Sequence, residues 1–222
     1  MVRAFIQARM NSARFPGKVL APFNGRPIIT HVIERVAEVL PITHITVATS
    51  TEESDDPLVR YLQNIGILVH RGPLENVLAR LQSCLKEYDC AWFFRISADS
   101  PLLNSRIVRT MLDYRYRSDV DLISNVFPRT FPKGHSVEML SGGTFLSIDA
   151  DHATAEEKEH VTKVYYNHPD KFRIINIAST EGDLSHMNLA VDTTEDLQRL
   201  ETFSKVNSLR PGATRRTIGR WA

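Results

Sequence analysis

Short apolar runs alternate with longer amphipathic stretches along most of this chain, a rhythm that predicts a sheet with helices packed on it. Val2 to Ile6, Ile45 to Ala48, Ile67 to Val69 and Ala91 to Ile96 read as buried strands. Pro27 can take the first turn of a helix running to about Val39, on which Ile28, Ile29, Val32, Ile33 and Val36 share one face. Pro57 to Asn64 and Glu75 to Tyr88 follow the same helical period, the second with Val77, Leu78, Leu81 and Leu85 inward. Farther on, Ser105 can cap a helix to Arg117, and Leu122 to Ser124 and Val137 to Leu140 read as strands. A helix from Ala155 to Asn167, a strand from Phe172 to Ile177 and a last helix from Thr194 to Val206, capped by Thr193 or Thr194, complete the pattern. The fold class is α/β: a mostly parallel, mixed Rossmann-like sheet with helices on both faces. No linker, repeat or low-complexity segment divides the chain, so residues 1–208 read as one domain and 209–222 as a basic tail carrying Arg210, Arg215, Arg216 and Arg220.

The chemistry concentrates where the first strand ends. From Ile6 to Lys18 an apolar run passes into a loop rich in cations and small residues. Arg9, Arg14 and Lys18 supply positive charge, Gly17 permits close approach of backbone to a ligand, and Pro16 stiffens the turn that presents Lys18. In open α/β sheets ligands bind outside the carboxyl ends of strands, so this loop is a candidate for a nucleotide's phosphates. Neither familiar glycine fingerprint for phosphate is present, and by composition alone a basic surface loop is an equal alternative.

Composition narrows the partners. The 222 residues hold 27 basic and 26 acidic side chains, a net charge of +1, which gives no global reason to expect nucleic acid or an anionic membrane surface. Cys84 and Cys90 form no metal-type pair, Arg9 and Arg14 interrupt any apolar leader, and no apolar run approaches a membrane span. A reducing cytoplasm is the expected setting.

The order of residues says more than the charge. Gln7-Ala-Arg-Met-Asn-Ser-Ala-Arg-Phe-Pro-Gly-Lys-Val-Leu20 resembles the opening of the cytidylyltransferase family that includes spore-coat polysaccharide biosynthesis protein F, a relative of the CMP-sialic acid and CMP-KDO synthetases. Further blocks follow in the family's order: Val47-Ala-Thr-Ser50 with Asp55-Asp-Pro57, Asn76-Val-Leu-Ala-Arg80, and Arg95-Ile-Ser-Ala-Asp-Ser-Pro-Leu102. Pro128-Arg-Thr-Phe-Pro132, Glu159-His-Val-Thr162 and Val191-Asp-Thr-Thr-Glu-Asp-Leu197 extend the match over roughly the first 200 residues.

That resemblance implies a fold of the nucleotide-diphospho-sugar transferase type and an enzyme that moves CMP from CTP to a sugar or sugar-acid acceptor, with release of pyrophosphate, for surface polysaccharide. It implies that Ala8, Arg9, Arg14, Lys18 and Arg71 hold the nucleotide, and that Ala48, Thr49, Arg80, Ser97 and Ala98 surround the base. Arg9, Lys18 and Asp99 are the expected catalytic residues. Asp99 and Asp192 match the family's metal carboxylates, and two hard oxygen ligands with phosphate oxygens and water suit Mg²⁺. Read without the family, Asp99 after the buried run Trp92 to Ile96 and Asp192 after the short run Leu189 to Val191 stand at the sheet's carboxyl edge. A turn former before Pro101 and a helix-start carboxylate are the respective alternatives, and Arg71 and Arg80 either reach the nucleotide or are solvated cations. The resemblance also implies a homodimer.

Arg129, Lys133, Glu138 and His160 are candidates for the acceptor, which the cations of Pro128 to Glu138 would make anionic. This chain has Ala98-Asp-Ser-Pro101 where the family usually has Gly-Asp-Cys-Pro. It carries Lys133 and Ser136 where acidic residues are common, and Asn76 in place of a usual aspartate. Those changes suit either an altered, more anionic acceptor or lost catalysis, leaving a noncatalytic nucleotide-binding protein as one alternative. A nucleotide-sugar glycosyltransferase is the other, claiming Asp119-Val-Asp121 or Asp149-Ala-Asp151 as an Asp-x-Asp signature.

Overall fold

The computed structural model describes residues 1–208, so the tail read from 209 to 222 lies outside the described residues. Strand β1 (Val2–Gln7) leads through the cationic loop to a short ribbon, β2 (Pro22–Phe23) and β3 (Arg26–Pro27), and then to helix α1 (Ile28–Ala37). β4 (Ile45–Ser50), α2 (Asp56–Asn64), β5 (Leu68–Gly72), α3 (Val77–Glu87), β6 (Trp92–Ser97) and α4 (Ser105–Leu112) continue the alternation. The remainder comprises β7 (Leu122–Ser124), β8 (Glu138–Ser141), α5 (Gly142–Leu146), α6 (Ala155–Glu159), α7 (Lys163–Asn167), β9 (Ile174–Asn176) and α8 (Thr194–Ser208).

Seven strands form one sheet in the order β5-β4-β1-β6-β8-β7-β9. Strand β8 opposes both of its neighbours, while the other pairings are parallel. The mixed, mostly parallel sheet read from the sequence is therefore the one observed. Its functional consequence is geometric. The carboxyl ends of β1, β4, β6 and β7 and the amino end of β8 share one edge, where Glu138 pairs with both Arg95 and Ser124.

Alternation along each strand supplies two cores. Ala4, Ile6, Val47, Phe94 and Ile96 pack under α1, α2 and α4, whereas Phe5, Ala48, Phe93 and Leu140 pack under α3, α5 and α7. The α1 face is buried as its period predicts: Ile28, Ile29, Val32, Ile33 and Val36 are at most 3% exposed. Each such side chain contributes about 1.5 to 3 kcal/mol by leaving water.

Several boundaries move. The helix expected from Ala155 to Asn167 is two short helices, because His160 leaves helical geometry at φ −107° and ψ 73°. The α-helix expected to reach Arg117 stops at Leu112 and tightens into a 3₁₀ turn, and its cap is Asn104, whose side chain accepts from Arg106 N, rather than Ser105. The strand expected at Ile67 to Val69 runs Leu68–Gly72. Thr193 does cap α8, exchanging bonds with Asp196 in both directions. The β2–β3 ribbon turns at Asn24 and Gly25, both at positive φ, which is the Asn-Gly hairpin signal.

Candidate active site

The loop after β1 crosses the carboxyl edge under two tethers. Gly17 N donates to Met10 O at 2.8 Å with φ at 73°, a conformation glycine adopts freely, and Met10 N donates to Asp55 Oδ1 at 2.7 Å. Asp55 is fully buried, and its other oxygen accepts from Thr49 Oγ1 and from Ser50 N and Oγ. Burial alone would push this carboxyl up, but the donors from Met10, Ser50 and Thr49 outweigh it and hold it below the usual carboxylate range. The cationic loop is thereby moored to the end of β4.

A cavity of about 400 Å³ opens between this loop, α3, the end of β6 and α6. One wall is ionic. Lys18 Nζ contacts Asp99 Oδ2 at 3.0 Å, Asp192 Oδ1 at 3.3 Å and the Val191 carbonyl at 2.8 Å. Arg14 also meets Asp192 Oδ1, at 3.1 Å, and Lys133 Nζ meets Asp192 Oδ2 at 2.6 Å. Burial pushes the Asp192 carboxyl up, yet Lys133 and Lys18 overcome it and hold it below its ordinary value. Arg9 pairs with Glu159 at 3.5 Å, joining the loop to α6.

The opposite wall is polar and underpaired. Arg80 is 2% exposed; its Nη1 donates to Pro73 O at 3.0 Å, but its buried Nε has no partner. Burial pushes its guanidinium down to about 10 against the pull of Asp55. Gln7 Oε1 and Arg95 Nε are buried without partners as well, and both residues line the same cavity. Buried polar atoms are nearly always paired, so three lining residues that each carry an unpaired buried atom single out this side of the cavity as a candidate place for a ligand. Arg95 is held from behind: Nη1 donates to Glu138 Oε2 at 2.6 Å, and Glu138 also accepts from Tyr166.

The structure brings Ala8, Arg9, Arg14, Lys18, Arg80, Ser97, Ala98, Asp99, His160 and Asp192 to one cavity. Others lie elsewhere. Ala48 and Thr49 are fully buried rather than on the cavity wall, with Thr49 engaged by Asp55. Arg71 turns to Ser50 O, Glu52 O and Asp56, because β5 carries it along the far side of β4. Lys133 rests on Asp192, Glu138 serves Arg95 and Tyr166, and Arg129 donates to Ser136 Oγ at 3.0 Å. Burial lowers the Arg129 guanidinium. Asn76 still caps α3, accepting from Ala79 N at 2.9 Å, a task an aspartate would also perform. Gln7, Arg95, Glu159 and Asp55 stand in the sequence only as members of the matching blocks and not as site candidates; a charge inside the apolar run from Ala91 to Ile96 is the available signal for Arg95. Neither Asp-x-Asp segment lines the cavity. Asp119 pairs with Arg117, Asp121 accepts from Arg173 N and Thr144, and Asp149 pairs with His152.

Among the described residues no three His, Cys, Asp or Glu side chains gather in a way that could hold a metal ion by themselves. Asp99 and Asp192 nevertheless converge on one positive charge, the Lys18 ammonium. Two hard carboxylates around one cation, beside a cavity sized for a ligand, fit a divalent ion that takes its other ligands from phosphate and water.

A family model described as cytidylyltransferase matches residues 4–210. Spore coat polysaccharide biosynthesis protein SpsF of Bacillus subtilis strain 168 is 28% identical over 214 residues, covering 93% of this chain and 87% of the relative. A solved cytidylyltransferase from Leptospira borgpetersenii serovar Hardjo-bovis is 28% identical, with a TM-score of 0.86 over 92% of this chain and 87% of the other. CMP:2-keto-3-deoxy-manno-octonic acid synthetase, solved in complex with CTP, is 17% identical and shares the fold, with a TM-score of 0.67 over 92% of this chain and 98% of the other. Among the described residues no helix is long and apolar enough to cross a membrane.

Proposed function

We propose, because this chain belongs to the cytidylyltransferase family, that it transfers CMP from CTP to an anionic sugar or sugar-acid acceptor with release of pyrophosphate, on the way to a surface polysaccharide. The supporting observation is Lys18, whose ammonium lies 3.0 Å from Asp99 and 3.3 Å from Asp192 at the mouth of the wall formed by Gln7, Arg80 and Arg95. A triphosphate laid along the ionic wall meets Arg9, Arg14 and Lys18, and its nucleoside lies toward Gln7, Arg80 and Arg95.

In this reading an acceptor oxygen attacks the α-phosphorus in line, the bond to the bridging oxygen breaks, and pyrophosphate leaves with the electron pair. Arg14 and Lys18 neutralise the charge that grows on the leaving group, while the mooring to Asp55 keeps the loop from having to reorganise. Mg²⁺ on Asp99 and Asp192, if bound there, would supply further charge neutralisation at the phosphates. Arg129 and His160 remain the candidates to meet the acceptor, and the guanidinium of Arg129, which has Ser136 as its polar partner here, could grip a carboxylate by two parallel bonds. A homodimer in a cytoplasmic setting belongs to the same reading, and sedimentation of the purified chain checks the dimer.

The test is to incubate the protein with Mg²⁺, each of four nucleoside triphosphates and a panel of neutral and acidic sugars, following pyrophosphate. CTP with an acidic sugar is the expected productive pair. Faster turnover of ATP, or a best acceptor that is uncharged, would overturn the respective half of the proposal.

A further inference from the structure

We propose that Lys133 is a tethered cation that competes with the divalent ion for Asp192, and so sets how tightly the nucleotide-free enzyme holds metal. The inference rests on the reading of Asp99 and Asp192 as metal carboxylates, and concerns a residue that the sequence had directed to the acceptor.

Both oxygens of Asp192 are engaged. Oδ1 takes Lys18 at 3.3 Å and Arg14 at 3.1 Å, and Oδ2 takes Lys133 at 2.6 Å, the shortest of the three contacts. The three cations differ in origin. Arg14 and Lys18 belong to the loop after β1 and have phosphates to move to when a nucleotide enters. Lys133 comes from the segment between β7 and β8 and takes the other carboxylate oxygen, Oδ2, away from the two loop cations on Oδ1.

Its backbone cannot follow a ligand. Lys133 N donates to Met187 O at 3.0 Å, and Lys133 O accepts from Leu189 N at 2.7 Å. Gly134 next to it holds φ at 95°, and a Cβ there would lie 2.5 Å from the Leu189 carbonyl carbon, so this close pairing depends on glycine. What can move is the half-exposed side chain, 52% accessible against 11% for Asp192. An ammonium on a pinned stem is a charge of fixed reach, present at high effective concentration beside one carboxylate oxygen. Any ion that ligates Oδ2 must first displace it.

Mn²⁺ binding to the full-length, nucleotide-free protein tests this directly, with free Mn²⁺ measured by electron paramagnetic resonance. Lys133→Met should bind Mn²⁺ about three- to fivefold more tightly, the scale of one half-exposed ion pair. Lys133→Arg keeps the competing cation and should stay near wild type. Arg129→Gln removes a charge from the same segment that touches no carboxylate, and should change affinity by less than about twofold. Unchanged or weaker binding by Lys133→Met, or equal tightening by Arg129→Gln, would overturn the competition. Asp192→Asn separates this outcome from the underlying reading. If that variant binds Mn²⁺ as well as wild type, the metal assignment itself is wrong; if it binds weakly while Lys133→Met is unchanged, only the role of Lys133 falls.

Discussion

The two walls of the cavity are built on opposite principles. On the ionic wall Lys18 pairs with Asp99 and Asp192 and Arg14 pairs with Asp192, while Lys133, outside the cavity lining, backs Asp192 from its other oxygen. On the polar wall Gln7 Oε1, Arg80 Nε and Arg95 Nε are buried and open. A ligand on the first wall has to exchange ion pairs, so its gain is a difference between old and new contacts. On the second wall the unpaired buried atoms cost the empty protein about 1 to 3 kcal/mol each, so a bond that a ligand made to them would replace no existing one. Under the proposed function the ionic wall would take phosphates on its cations and a metal on its carboxylates together, while the polar wall would take the nucleoside.

The largest effect expected from this contrast is on turnover. Asp99→Asn and Asp192→Asn keep shape and remove charge, and each should lower kcat by about a hundredfold or more, in line with loss of preorganised electrostatic stabilisation. Steady-state rates at limiting Mg²⁺ check it, and wild-type rates in both variants would remove these carboxylates from the chemistry.

A smaller effect separates the walls from each other. Arg80→Met and Lys18→Ala should each weaken CTP by about 1.5 to 3 kcal/mol, the scale of a charge-assisted contact. Their ligand-free stabilities should diverge. Losing Lys18 leaves Asp99 and Asp192 without the cation they share, and the melting temperature should fall. Losing Arg80 removes a buried charge with an unpartnered nitrogen, and replacing such a group by an apolar side chain is often neutral or stabilising. Equal destabilisation of the two variants, read by calorimetry without CTP, would erase the distinction drawn between the walls.

The same contrast governs what the sequence could reveal. The strands, the α1 face and the cationic loop are local patterns and so are legible from spacing alone; Asp99 and Asp192 are legible as two carboxylates that each follow a short apolar run, and the family resemblance adds weight to reading them as a pair. The break at His160 was not legible, because the apolar period of Val161, Val164 and Tyr165 continues through it while the backbone leaves the helix. Arg95 was hidden inside a buried strand, where its partner Glu138 comes from β8, 43 residues away. Lys133 is visible as a departure, but its contact is not, since the carboxylate it meets lies 59 residues on. Long-range ion pairs leave no period to read.

The smallest expected effect concerns that same pair in the empty protein. Asp192 is held below its ordinary value, so its contribution to stability is present above the unfolded carboxylate range, near pH 4, and is lost as pH falls through the folded value. Part of that depression comes from Lys133, which is half exposed and therefore screened by solvent. Lys133→Met should accordingly cost less than about 1 kcal/mol at neutral pH, and less still in high salt. The gap between the variant and wild type should close as the solution is acidified below about pH 4, because a protonated Asp192 gains little from either side chain. Urea unfolding at several pH values measures the gap. A loss of several kcal/mol at neutral pH, or a gap that persists in acid, would make Lys133 a strut of the fold.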